Sequence, residues 1–272
     1  MSDARDLRVC LVGDGRLAAS LAAALQRAGY RVLGVAGRQT PNLDSMLAEA
    51  DLVFLTVQDA NIRELAAALP WRPGQFAVHC SGALTLNALD PAARAGAIVG
   101  CLHPLQSFPS RAPEPDRFHG ITCGIEAPEP LAGVFDQIAR DLGSRTLRLE
   151  GADRRLYHAA AVFASNDVIA LMSAARRAWK LAGLPEDLAR SSLAPLLVAA
   201  AANVQRLELA DALTGPVARG DVPTIEAHLS ALAADPSLER LYRGLAAELL
   251  RVVEPSHPEA ASKLAHLLDG DS

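Results

Sequence analysis

The segment VCLVGDGRLAASLAAAL, residues 9–25, constrains the fold more than any other part of the chain. An apolar run reaches Gly13-Asp14-Gly15 and passes at once into an alanine- and leucine-rich stretch. That order predicts a strand over 7–12, a tight turn, and a helix over 16–28. In the pattern Gly13-x-Gly15-x-x-Ala18 the first glycine makes the turn and the second lets a diphosphate approach the backbone. The small third residue lets the helix pack closely on the strand. Unpaired N–H groups at the helix start then face the phosphates. Gly13, Asp14, Gly15, Arg16 and Leu17 are therefore candidate contacts of a bound dinucleotide.

The same alternation continues. Residues 31–36, 51–57, 76–81, 97–102, 120–125 and 145–149 read as short strands, with helices at 61–69 and 128–142. Short apolar strands between helices imply an α/β fold, a Rossmann-type parallel sheet covered on both faces. Half the residues are hydrophobic but only 4% are aromatic, so the core must be built from Ala, Leu and Val. The pattern changes after Gly151. Helices are expected over 153–182, 186–213 (with a kink at Pro195), 223–234, 237–253 and 257–268. Two domains are expected: 1–150, which binds the dinucleotide, and an all-helical 151–272 for substrate and dimerisation.

Several function classes are disfavoured. A formal net charge of -5 gives no electrostatic basis for binding nucleic acid. No uninterrupted apolar run reaches the roughly 20 residues of a membrane span. The polar start MSDARDLR does not resemble a secretory signal, so a cytoplasmic location is expected. Cys10, Cys80, Cys101 and Cys123 form no CxxC pair and read as small buried hydrophobes, so no metal site is expected. Cys80, within HCSGA, is the one whose exposure matters. Only Lys180 and Lys263 are lysines, which limits the candidates for a catalytic amine.

The second strand ends in LGVAGRQT, without the acid that would hold the ribose hydroxyls of NAD. Arg38 stands there instead and suits a 2′-phosphate, so NADP (NADPH) is favoured over NAD. Ligands of parallel sheets lie beyond the carboxyl ends of the strands. The loops there are TVQDANI, HCSGAL and HPLQSFP. They offer Val57, Gln58, His79, Ser81 and Gly82 to the cofactor, although His79 and Ser81 equally suit a capped turn. His103, held extended by Pro104, is placed to orient nicotinamide or substrate. Farther on, His158, Val162 and Asn166 fall on one face of the expected helix 153–182, with Ser165 beside them, as in a cleft lining. A polar island at 212–229 adds Thr214, Arg219, Asp221 and Thr224, suited to a substrate carboxylate.

Taken together, GDGRLA, HCSGA, HPLQSFP, YHAAAVFASN and LTGPVARGDVPT resemble a bacterial family. It joins a Rossmann-like NADP-binding domain to a C-terminal helical domain of unassigned function. The resemblance spans nearly the whole chain. It implies an architecture similar to ketopantoate reductase, pyrroline-5-carboxylate reductase, prephenate dehydrogenase and the 3-hydroxyacid dehydrogenases, with a C-terminal domain like that of 6-phosphogluconate dehydrogenase. For some members it implies a second type of ketopantoate reductase, acting in pantothenate biosynthesis. The chain departs from the lysine-dependent ketopantoate reductases in having His158 near the start of the long helix, where those enzymes place lysine. Val162 replaces a first asparagine, Asn166 keeps the second, and Glu226 is displaced by one residue from a Thr-Glu pair.

In a reductase of this kind negative charge grows on a carbonyl oxygen, and a positioned acid supplies a proton. His158 is the expected acid and His103 the second choice. Asn166 would orient the carbonyl, and Arg219 or Thr224 would hold a substrate carboxylate. The expected substrate is a small 2-keto acid such as ketopantoate. The alternatives are an imine reductase, a prephenate-type dehydrogenase, or an NADP-binding protein without turnover. The alanine-rich helices further suggest a homodimer built through the helical domain.

Overall fold

The structure, a computed structural model, describes residues 3–37, 40–253 and 258–268. The first glycine turn joins β1 (Arg8–Val12) to α1 (Arg16–Arg27). Ala18, Leu21, Ala22 and Leu25 recur at helical spacing and bury one face of α1. The chain continues through β2 (Arg31–Ala36), α2 (Leu43–Glu49), β3 (Leu52–Leu55), α3 (Asp59–Ala68), β4 (Phe76–His79), α4 (Asp90–Arg94) and β5 (Ile98–Pro104). Then come β6 (Thr122–Glu126), α5 (Leu131–Asp141) and β7 (Arg145–Arg148). Every residue of β3 and β4 is buried, as expected of central strands covered on both faces. One core lies under α1 and α5, around Leu21, Leu25, Phe54, Phe118 and Phe135. The other lies under α2 and α3, around Leu47, Val53, Leu55 and Ile62.

The seven strands form one sheet in the order β2-β1-β3-β4-β5-β6-β7. β1 pairs with both β2 and β3, so the direction of winding reverses at its carboxyl end, where Rossmann-type sheets bind ligands. The sheet is not parallel throughout, as the alternation had implied. β6 pairs antiparallel with β5, and β7 follows β6 in parallel. The reason lies in the connection. Residues 105–121 hold only a short 3-10 helix, Pro115–Phe118, and a parallel return needs a helical crossover.

The chain divides into two compact units, with the division between Ser165 and Asn166. The division falls beyond the expected residue 150, because α6 (Arg154–Phe163) is anchored to the sheet through Arg154, as described below. The single helix expected over 153–182 is two helices, α6 and α7 (Asn166–Leu181). At the break the Ser165 hydroxyl donates to Ala161 O at 2.6 Å, and Ser165 N–H turns back to Val162 O at 3.1 Å. Such side-chain and short-range bonds compete with helix continuation. Within Arg154–Leu181 an 18-residue window reaches a mean hydropathy of 1.2, enough by length and composition for a membrane span, although the stretch is interrupted there.

The second unit continues with α8 (Glu186–Val204), α9 (Leu209–Ala212), α10 (Pro216–Arg219), α11 (Val222–Leu232), α12 (Pro236–Val253) and α13 (Pro258–Leu268). The helix expected over 186–213 is thus interrupted as well: Arg206 and Leu207 both close back onto Asn203 O. α8 runs on through Pro195. Val217, Ile225, Leu229, Leu250 and Leu264 form the core of α10–α13. In contrast, α7 buries none of its residues and α8 only Ala189.

Candidate active site

Two neighbouring groups of residues occupy the carboxyl edge of the sheet in the first unit. The first is the glycine turn. Gly13 has φ +121°, and a Cβ there would lie 2.7 Å from the backbone carbon of Thr56 just after β3. Only glycine satisfies both conditions. The turn is tied on both sides: Gly13 N–H donates to Ala36 O of β2 at 2.8 Å, and the Thr56 hydroxyl donates to Gly13 O at 2.9 Å. Gly15 precedes α1 without a side-chain cap, and a Cβ there would meet only Thr56 O at 3.7 Å. The first N–H groups of α1, on Arg16 and Leu17, therefore have neither a carbonyl one turn back nor a capping side chain. This open, uncapped turn fits the diphosphate of a dinucleotide. Asp14 is exposed, with its carboxylate beside Gly37 at the end of β2. Val57 and Gln58 follow β3, Gln58 as the N-cap residue of α3. Arg38, the residue on which the NADP preference was argued, lies outside the described residues.

The second group gathers around Arg154. This guanidinium is 3% exposed. It donates to Ser81 O at 2.9 Å, Gly82 O at 3.1 Å, the Cys101 sulfur at 3.0 Å and the Glu126 carboxylate at 3.1 Å. It thereby fastens α6 to the loop after β4, to the middle of β5 and to the end of β6. Burial raises the Glu126 carboxyl above the usual range, and Arg154 opposes that shift. An arginine in the first turn of a helix opposes the helix dipole, so its partners must supply the compensation. Sequence reasoning missed Arg154 and Glu126; that unfavourable placement was the available signal.

Ser81 and His79 serve the loop itself. The Ser81 hydroxyl donates to Asp59 at 2.6 Å and accepts the N–H groups of Ala83 and Leu84. His79 is fully buried and accepts Ser81 N–H at Nδ1. Burial, followed by the charge on Arg154, lowers its pKa to about 4. Its Nε2 is buried with no hydrogen-bond partner among the described residues.

Gly82 is where the two candidate acids meet. A Cβ at this position would lie 2.7 Å from Cε1 and 2.8 Å from Nε2 of His103, and 3.0 Å from Nδ1 of His158. The bare glycine therefore leaves one small space faced by two imidazoles from different elements, β5 and α6. The ring centroids are 6.4 Å apart. Nδ1 of His158 is buried and has no partner among the described residues. Nδ1 of His103 lies 2.9 Å from the Tyr157 hydroxyl, another residue that sequence reasoning passed over. Burial, then His158, then Arg154, lower the pKa of His103 to about 4. A neutral His103 imidazole is thus held at the sheet edge where a nicotinamide would lie.

Ser165 closes the first unit, where its hydroxyl caps Ala161 O. Asn166, Thr214, Arg219 and Thr224 belong to the second unit. There Arg219 lies 3.6 Å from Asp221, whose carboxylate also accepts Thr224 N–H to start α11. All four cysteines are buried, Cys80 included, and burial pushes the Cys10 and Cys101 thiols up to about 11. No metal-binding cluster occurs among the described residues.

Residues 1–104 match the model of a Rossmann-like domain, and residues 121–249 match a domain of unknown function (DUF2520). No curated protein matches the chain. Among solved structures, it is similar to BF3122 of Bacteroides fragilis, a candidate NADP oxidoreductase, with 27% identity and a TM-score of 0.70 over 92% of this chain and 99% of that one. Protein TM1727 of Thermotoga maritima gives 25% identity and a TM-score of 0.70 over 91% and 98%. A reductive aminase from Aspergillus terreus, in complex with NADPH and ethyl-5-oxohexanoate, shares the fold at 15% identity, with a TM-score of 0.63 over 96% and 99%. The chain thus has the fold of NADP-dependent oxidoreductases.

Proposed function

We propose that this chain, a Rossmann-like domain followed by a helical DUF2520 domain, is an NADPH-dependent reductase of a small carbonyl substrate, best fitted by a 2-keto acid such as ketopantoate. The observation that carries the proposal is the convergence of His103 and His158 on Gly82, beside an uncapped glycine turn. Gly13, Gly15, Arg16 and Leu17 would hold the diphosphate of the dinucleotide. When bound, the dinucleotide supplies a hydride. His158 then holds a proton at Nδ1 and passes it to the substrate oxygen as charge grows there. His103, three strands from the glycine turn along the sheet, contacts the same oxygen. Arg154 keeps α6 and the two loops in register with one another.

The test is NADPH consumption by the purified protein with ketopantoate, with the cyclic imine pyrroline-5-carboxylate, and without substrate, each repeated with NADH. Consumption with NADPH and the keto acid, lost in His158→Gln, supports the proposal. Consumption with the imine alone would move the substrate class. Tight NADPH binding without turnover of either would overturn enzymatic function in favour of a binding protein.

A homodimer is the second part of the proposal. Ile169, Leu196 and Val198 are each about two-thirds exposed or more on α7 and α8, and Leu181, Leu188 and Leu209 about half. A second copy covering these residues would bury the apolar surface that a standard interface of ~800 Å² per partner draws on. Light scattering should give twice the chain mass, and a Leu196→Glu, Val198→Glu double variant should give the monomer. A monomeric wild type, or one that partitions into lipid vesicles instead, would overturn it.

A further inference from the structure

We propose that Tyr157 is a positioning residue: its hydroxyl donates to Nδ1 of His103 and so fixes this imidazole as the tautomer with its proton on Nε2, the nitrogen that faces Gly82. The inference rests on the reductase proposal above for its catalytic meaning, but not for its structure.

Three observations support it. First, the Tyr157 oxygen and His103 Nδ1 are 2.9 Å apart, with the rings edge to face. Second, the sheet makes room for this contact. Gly124 pairs with His103 across β5 and β6, and a Cβ on Gly124 would come within 2.6 Å of the Tyr157 oxygen. His103 is therefore flanked by two glycines. Gly124 admits the tyrosine to Nδ1, and Gly82 leaves open the side of Nε2. Third, the proton inventory is closed. A phenol has one proton, and among the described residues His103 Nδ1 is the acceptor within its reach. Were the imidazole to donate from Nδ1 instead, a half-buried phenol proton would lose its partner. Burial pushes the Tyr157 pKa up to about 12, so the phenol keeps that proton to donate.

The groups facing His103 are Arg154 and His158 on α6 and Asp59 on α3. Burial first, and then the neighbouring His158 and Arg154, outweigh the one acid and keep the His103 imidazole neutral. A neutral Nε2–H is a hydrogen-bond donor that does not give up its proton at ordinary pH. A substrate oxygen beside Gly82 would therefore receive a hydrogen bond from His103 and the proton itself from His158. The two histidines divide the work: one stabilises charge, and the other transfers the proton.

The experiment is long-range proton–nitrogen NMR of the imidazoles in isotope-labelled full-length protein, with NADPH and without it. His103 is assigned by its loss in His103→Gln. The wild type should show Nε2 protonated and Nδ1 bare. Tyr157→Phe should show a mixture of tautomers, with kcat reduced about tenfold, one hydrogen bond's worth, and KM unchanged. A His103 protonated at Nδ1 in the wild type, or an unaltered tautomer in Tyr157→Phe, would overturn the inference. If Tyr157→Phe does not fold, the wild-type spectrum decides alone. The spectrum needs no substrate, so the two proposals fail separately. An inactive protein with the fixed tautomer removes the reductase, and an active one with mixed tautomers removes the role of Tyr157.

Discussion

Adding one methyl group at Gly82 tests the arrangement most directly. In Gly82→Ala the new carbon would sit 2.7 Å from His103 Cε1 and 3.0 Å from His158 Nδ1. Ordinary contact between carbons begins near about 3.5 Å, so His103 must retreat by roughly 0.8 Å. It has little freedom to do so. Its strand is paired on both sides, and Tyr157 holds the far edge of the ring. His158 neighbours Tyr157 and lies one turn from the buried Arg154. Overpacking of this kind costs about 1–3 kcal/mol. For a chain of this size each kcal/mol lowers Tm by roughly 2–4 °C. Displacing reacting groups by close to 1 Å reduces turnover by about 10²-fold. The expected outcome is therefore a kcat near a hundredth of wild type, a Tm lower by several degrees, and NADPH binding altered far less than turnover. Steady-state NADPH consumption, thermal unfolding and cofactor titration measure the three. An alanine variant with full kcat and unchanged Tm would refute the idea that the imidazoles close on this glycine.

Gly13→Ala should abolish NADPH binding and cost at least about 3 kcal/mol, because it combines strained φ with a backbone clash at Thr56; calorimetry and urea unfolding measure both. Arg154→Met should cost about 3 kcal/mol, since it leaves two buried carbonyls and the partly exposed Glu126 carboxylate without their donor. Protease resistance at neutral pH measures that loss, and Glu126→Gln added to Arg154→Met should recover part of it. Stability should also fall with acid. His79 and His103 have pKa values lowered from 6.5 to about 4, so the unfolded chain takes up protons first as pH falls through 6.5. The stability they contribute is full above pH 6.5 and is lost towards pH 4, at about 1.4 kcal/mol per pH unit for each histidine. Urea midpoints across that window measure the slope, and His103→Gln should reduce it. Finally, Gly244→Ala, inside α12 with open space around the position, should stabilise by about 0.5–1 kcal/mol and raise Tm.

The parts of the fold that depend on local periodicity were legible in the sequence. The strand, turn and helix from Arg8 to Arg27 follow from an apolar run, two glycines and an amphipathic spacing. β2 could be read to the residue for the same reason. Features set by distant partners were not legible. The direction of β6 depends on what residues 105–121 fail to form. The breaks after α6 and α8 arise from short hydrogen bonds that leave the apolar pattern untouched. In the site, His103 and His158 stood out because histidine is scarce on apolar elements. Arg154 and Tyr157 did not stand out, since DRRLYH reads as an ordinary exposed helix start until the acceptors after β4 and on β5 and β6 are brought to it. The expected common face of His158 and Asn166 assumed one unbroken helix, and the serine between α6 and α7 removes that assumption.

The antiparallel β6 has a consequence for how this scaffold tolerates change. Because β6 returns beside β5, the segment 105–121 leaves and re-enters the sheet at one edge: Leu105 N–H bonds back to Thr122 O at 2.9 Å. That edge carries His103. The latter half of the segment is held down, with Phe118 in the core and Glu114 N–H on Ser20. The former half, from Leu105 to Pro113, is largely exposed. Insertions or substitutions there would alter what can reach the histidines without disturbing the sheet, whereas changes at 127–130 fall at the opposite edge of β6 and leave access alone. Residues 105–113 are therefore the stretch in which lineage drift or deliberate grafting would retune selectivity at the smallest cost to folding.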